Sequence, residues 1–120
     1  MLDLYNYFEH EDGFGVLSTA DEDGVVNSAL FARPRIEEGR AIFLTVDKKN
    51  LSNLRKNKSG YYLFKSNKDG YEGVRLKLQL FSIYQDDAKV QRLSRKPLKD
   101  GIERYILEFD ILEVLPLCGV

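Results

Sequence analysis

Val74, Leu76, Leu78 and Leu80 alternate with Arg75, Lys77 and Gln79. A period of two is the mark of a strand with one buried face. Within the same run the phase flips, so that Phe81 and Ile83 are apolar while Ser82 and Tyr84 are less so. A strand that changes its buried side needs a bulge or a corner. Long strands with flips suit an antiparallel barrel better than a flat sandwich. A second run behaves alike: Tyr105, Leu107, Phe109 and Ile111 alternate with Arg104, Glu108 and Asp110, and the phase slips at Ile111-Leu112.

The rest of the chain supplies shorter pieces. Leu2, Leu4, Tyr5 and Phe8 give a weak helical face that stops at His10-Glu-Asp-Gly13. Phe14–Ala20 reads as a strand, Asp21-Glu-Asp-Gly24 as a hairpin turn with Gly24 at positive φ, and Val25–Ile36 as a second strand weakened by Pro34. Glu37-Glu38-Gly39 turns into a third strand, Arg40–Val46, and these three strands are expected to form a meander. Asn50 is placed as the cap of a helix that buries Leu51 and Leu54. Tyr61–Ser66 is a fourth strand, the run from Val74 a fifth, Asp86–Arg95 a helix, Ile102–Leu112 a sixth strand and Val114–Val120 a short last one. The expected fold is mainly β: a six- to seven-stranded antiparallel split β-barrel with two or three short helices, in a single domain over residues 1–120.

With 120 residues, 43% of them hydrophobic, the chain can bury one core. One cysteine, Cys118, and one histidine, His10, leave no disulfide framework, no His/Cys metal cluster and no His-based catalytic triad. No run approaches the roughly 18 apolar residues of a membrane span. The N-terminus lacks the basic region and apolar stretch of a signal peptide, so a cytoplasmic location is expected. The carboxylate pairs all fall in turns or helix starts, where turn chemistry explains them.

The net charge of -1 hides a segregation. Lys48, Lys49, Arg55, Lys56, Lys58, Lys65 and Lys68 form a basic run without an acid, whereas residues 1–32 hold seven acids and neither Lys nor Arg. The basic run starts where the third strand ends and a helix begins, a natural place for a phosphate. It is also the one basic cluster the sequence displays.

Four stretches, in this order, carry a likeness: Gly15-Val-Leu-Ser-Thr-Ala-Asp-Glu-Asp-Gly24, Ala41-Ile-Phe-Leu-Thr-Val46, Lys49-Asn-Leu-Ser-Asn-Leu-Arg-Lys-Asn57 and Gly73-Val-Arg-Leu-Lys77. The chain resembles the FMN-binding split barrels of the pyridoxamine 5′-phosphate oxidase-like superfamily, especially the small bacterial FMN-binding proteins. The resemblance implies FMN held at the interface of a homodimer. Ala29, Leu30 and Phe31 would flank the ring or ribityl chain. Thr45, Val46 and Asp47 would line the strand end, and Lys48, Lys49 and Asn50 would meet the phosphate. The long oxidases carry a C-terminal Arg-x-His element for their substrate, and this chain lacks it, so oxidation of pyridoxamine 5′-phosphate itself is not expected. Whether the chain is an oxidoreductase or an electron carrier stays open.

The phase flips also point to a homodimer, because one barrel interior cannot hold both apolar sets. A second reading is a barrel that grips single-stranded nucleic acid without catalysis. Tyr61, Tyr62, Phe64 and Tyr71 interleave with Lys58, Lys65 and Lys68 like a stacking platform. The acidic first third and the net charge argue against nucleic acid as a partner.

Overall fold

The structure is a computed structural model and describes residues 3–119. Leu2 and Val120, both used in the sequence reading, lie outside the described residues.

The chain runs α1 (Leu4–His10), β1 (Gly13–Ala20), β2 (Val26–Phe31), β3 (Arg35–Glu37), β4 (Arg40–Thr45), α2 (Lys48–Lys56), β5 (Ser59–Ser66), β6 (Gly73–Tyr84), α3 (Asp87–Leu93) and β7 (Tyr105–Pro116). All seven strands belong to one antiparallel sheet in the order β2-β1-β5-β6-β7-β4-β3.

The expected meander is corrected. Val25–Ile36 is not one strand, because Ala32-Arg33-Pro34 breaks it into β2 and β3. Pro34 has no N–H to donate to a ladder. The break sends β2 to one edge of the sheet and β3 to the other. No ladder joins the two edges among the described residues. Side chains span the gap instead, with the Phe31 ring of β2 edge-on to Phe43 of β4 at 5.9 Å. The barrel is therefore split, closed by packing on one side and by hydrogen bonds elsewhere.

The two phase slips appear as register shifts in one ladder. β6 and β7 lose register between Lys77 and Leu78 and again between Leu80 and Ser82. The bulges let the strands curl around the core. Leu76, Leu78 and Leu80 stay inside, Phe81 turns outward beneath the Arg40 guanidinium, and Ile83 returns to the core margin. The final piece is not separate, since β7 runs unbroken to Pro116.

Phe8, Phe43, Tyr62, Phe64 and Phe109 are fully buried and meet mostly edge-to-face, a geometry that favours aromatic pairs. α1 seats Phe8 into this cluster. On the outer face a smaller core, Ile42, Val90, Leu93 and Ile106, fixes α3 against β4 and β7.

Candidate functional site

The corner between β4 and α2 is built from its own side chains. Thr45 is buried, and its Oγ1 accepts from the Asp47 backbone N–H at 2.8 Å. Asp47, not Asn50, is the N-cap of α2, and its carboxylate accepts from the Lys49 N–H at 3.1 Å. Asn50 is the third residue of the helix, within its first turn, and is wholly buried. Its Oδ1 accepts from Thr19 Oγ1 at 2.5 Å and from Asn27 Nδ2 at 3.1 Å, while Asn53 Nδ2 donates to Thr19 Oγ1 at 3.1 Å. This polar knot pins α2 to β1 and β2. Two of its neighbouring atoms are buried without a hydrogen-bond partner, Asn50 Nδ2 and Asp47 Oδ2. A buried donor without an acceptor costs roughly 1–3 kcal/mol.

Lys48 and Lys49 are exposed in the first turn of this helix, which holds no acid. Two cations at the positive end of a helix dipole are unfavourable by themselves, whereas an anion there is stabilised. Neither lysine forms an ion pair among the described residues, although each is felt at a distance. Asp21 is held below the usual carboxylate range first by the Val25 N–H and also by Lys49. Glu103 is lowered first by the Tyr105 hydroxyl and also by Lys48.

Four other cations of the basic run are engaged elsewhere. Lys56 pairs with Glu22 at 3.3 Å, and Lys68 with Glu11 at 2.6 Å. Lys65 donates to the carbonyls of Ser66 and Lys68. Arg55 lies over the Tyr105 ring at 5.9 Å.

The three candidates on β2 do not share a face. Leu30 points outward and is 75% exposed, whereas Ala29 and Phe31 pack against the core. Strand alternation allows no other outcome. Leu30 joins an outer apolar row through its partners, Leu30 opposite Val16 and Val16 opposite Leu63.

The aromatic platform is also corrected. Tyr62 and Phe64 are fully buried core residues, and only Tyr61 and Tyr71 are exposed. Alternation on β5 puts neighbours on opposite faces, so the four rings cannot form one stacking surface.

A second basic cluster exists that the sequence reading did not see. A cleft of about 460 Å³ opens beside Thr45 and Val46, with Ile42, Leu44, Leu93 and Leu98 as its apolar wall and Arg33, Arg35, Arg95, Lys96 and Arg104 around it. These cations come from three separated segments, and none lies in the run that drew attention. The one local signal was the pair of arginines flanking Pro34.

Arg95 is the tie of this cluster. Its guanidinium donates to the carbonyls of Phe8, Arg33 and Pro34 and to Glu9. Burial pushes Arg95 below its ordinary pKa; Glu9 opposes this, and Arg35 and Arg33 add to it. Arg35 meets both oxygens of Glu9 at 2.8 Å.

No family model matches the chain, and no curated protein matches it. Among solved structures it is similar to an FMN-binding protein from Syntrophomonas wolfei subsp. wolfei, with 22% identity, a TM-score of 0.75, and coverage of 98% of this chain and 85% of that one. It is similar to an F420 reductase at 15% identity and a TM-score of 0.74, over 95% of this chain and 98% of that one. It is also similar to a Lactobacillus delbrueckii protein provisionally described as a pyridoxamine 5′-phosphate oxidase, at 12% identity and a TM-score of 0.70, over 96% and 93% of the two chains. Together these establish the fold: the chain shares its split-barrel architecture with these proteins. No described helix is long and apolar enough to cross a membrane.

Proposed function

We propose that this split barrel is an FMN-binding flavoprotein that holds its cofactor between two copies of the chain. The observation that carries the reading is the first turn of α2: two lysines without ion-pair partners stand at the positive end of a helix, above a buried Asn50 amide that lacks an acceptor. Phosphate is the group this corner fits, since it brings charge for the lysines and acceptors for helix N–H groups. Lys48 and Lys49 would hold the phosphate. The strand end at Thr45 and Val46, together with β2, would flank the ring.

Asn50 and Thr45 serve this site indirectly. Asn50 Oδ1 and Thr45 Oγ1 are spent on the polar knot and the helix corner, so they fix the position of the α2 turn, while Asn50 Nδ2 is left without an acceptor. The FMN-binding protein and the F420 reductase among the structural neighbours support a flavin-type cofactor. When bound, FMN supplies electron or hydride transfer, which asks no acid or base of the protein. The chain's own work is then to bind, orient and shield, and its lack of a catalytic histidine constellation is consistent with that.

The outer row of Leu30, Val16 and Leu63 supports a homodimer, because an exposed apolar face of a sheet gains by meeting its own copy. Absorption spectra of the purified protein titrated with FMN test the proposal. A shifted, saturable flavin spectrum at one FMN per chain is expected. A flavin spectrum identical to that of free FMN at every ratio would refute it.

A further inference from the structure

We infer that the cleft beside Thr45 and Val46 binds a small amphipathic anion, an apolar body carrying a carboxylate or phosphate, and that Lys96 and Arg104 recognise its charged end. The inference deepens the flavin reading, because such a ligand would be the reactant beside the ring; it shares the strand end at Thr45 and Val46 with that reading, but its charge-recognising residues, Lys96 and Arg104, are different ones.

Charge is the first argument. Against the five cations of the cleft stand two carboxylates, Glu9 and Asp12, which leaves an excess of three positive charges. Like charge gathered around a concave apolar wall focuses its field on a ligand of opposite sign.

The hydrogen bonds then separate structural cations from available ones. Arg95 is consumed by three carbonyls and Glu9. Arg35 is held by Glu9 and the Leu93 carbonyl, and Arg33 by Asp12 and the Glu11 carbonyl through one terminal nitrogen, its buried Nε having no partner among the described residues. These three build the wall. Among the described residues Arg104 bonds only to the carbonyls of Lys99 and Ile102, at 3.1 and 3.3 Å, and meets no carboxylate. The exposed Lys96 side chain has no hydrogen bond or ion pair among the described residues. Carbonyl contacts orient a guanidinium without neutralising it, so both cations keep charge to offer.

Shape and wall chemistry set the rest of the ligand. A volume of about 460 Å³ lies within the range of small-molecule sites. Ile42, Leu44, Leu93 and Leu98 offer that body no hydrogen bonds, only apolar contact. An arginine fork matches the planar oxygen pair of a carboxylate or phosphate.

The test uses the full chain without flavin and three probes: 2-naphthoate, 2-naphthyl phosphate and the neutral 2-naphthol, titrated by calorimetry. Both anions are expected to bind about tenfold or more tightly than naphthol, at the lower end for a charge-assisted contact. Whichever anion binds tighter identifies the headgroup. Lys96→Ala and Arg104→Gln should each remove about tenfold of anion affinity and leave naphthol unchanged. The same variants are titrated with FMN and riboflavin. The inference is overturned if anions and naphthol bind alike, or fail to bind, or if the variants leave anion affinity intact. It is overturned as well if the variants weaken FMN but not riboflavin and FMN displaces naphthoate, because the cleft would then hold the flavin phosphate. A chain that binds naphthoate but neither flavin would keep this inference and sink the flavin reading.

Discussion

The Tyr62 hydroxyl donates to the Phe31 carbonyl at 3.1 Å, in space that exists because residue 15 is glycine: a Cβ there would lie 2.1 Å from the Tyr62 oxygen. Burial pushes the Tyr62 phenol far above its ordinary pKa, with Arg95 and Arg33 opposing, so the donor keeps its proton at every working pH. Tyr62→Phe should cost about 1–3 kcal/mol by leaving a buried carbonyl short of a donor. Gly15→Ala should cost more, because the ring is wedged against Phe43 at 4.8 Å and cannot retreat. Urea unfolding of both variants measures this, and a neutral Gly15→Ala would mean that the ring is not seated there.

Lys49→Ala and Lys48→Ala should weaken FMN by roughly 10- to 150-fold, the value of a charge-assisted hydrogen bond of about 1.5–3 kcal/mol. Riboflavin, which lacks the phosphate, should be nearly unaffected. Lys56→Ala, whose lysine pairs with Glu22, is the control and should change neither. Fluorescence quenching by each variant decides it. Equal losses for the two flavins would assign the lysines to folding.

Light scattering should give about twice the chain mass of 13.8 kDa. Leu30→Lys should shift the protein toward monomer and weaken FMN together, because it places a charge in the outer apolar row. A dimer untouched by Leu30→Lys would place the interface on another face.

Glu9 gives the pH dependence. Burial alone would raise its pKa, but hydrogen bonds and charge from Arg95 and Arg35 outweigh this and hold it below the ordinary value of 4.5. A carboxylate lowered on folding stabilises the fold above its unfolded pKa, and that contribution is lost as pH falls through the lowered folded value. The wild-type protein should therefore lose stability below about pH 4.5, and Glu9→Gln should lose part of it at neutral pH and show a flatter acid limb. Thermal melts across pH 3–7 compare the two. Parallel profiles would remove Glu9 from the account.

The sequence showed the strands well because alternation is a local property. Val74–Leu80 and Tyr105–Ile111 announce their buried faces residue by residue, and both bulges were visible as phase slips. Partnership was less legible. Pro34 was correctly read as a weak point, but nothing local to it says that β2 and β3 part to opposite edges of the sheet. The candidate site divides in the same way. Lys48 and Lys49 were singled out by a run of charge, and the structure leaves them without ion-pair partners among the described residues. The second cluster was missed because Arg33, Arg35, Arg95, Lys96 and Arg104 meet only after folding. Likewise Asn50 looked like a cap, but Asp47 three residues earlier takes that role, and the buried knot with Thr19 and Asn27 claims Asn50.

The sheet order carries a consequence for how the molecule comes into being. Leave out β7, and what remains is two unconnected ladders: β2-β1-β5-β6 and the small β4-β3 pair. β7 alone bridges them, pairing Leu78 of β6 with its Ile111 and Ile42 of β4 with its Glu108. Emerging from a ribosome, β4 must wait for partners that begin with Tyr105 and run to Asp110, with Ala41 and Phe43 unsheltered by that strand in the meantime. Pairings that distant close slowly. A nascent chain halted before Tyr105 therefore leaves β4 without its β7 partner and open to proteolysis and aggregation, and β7 is the strand that joins two ladders into one sheet.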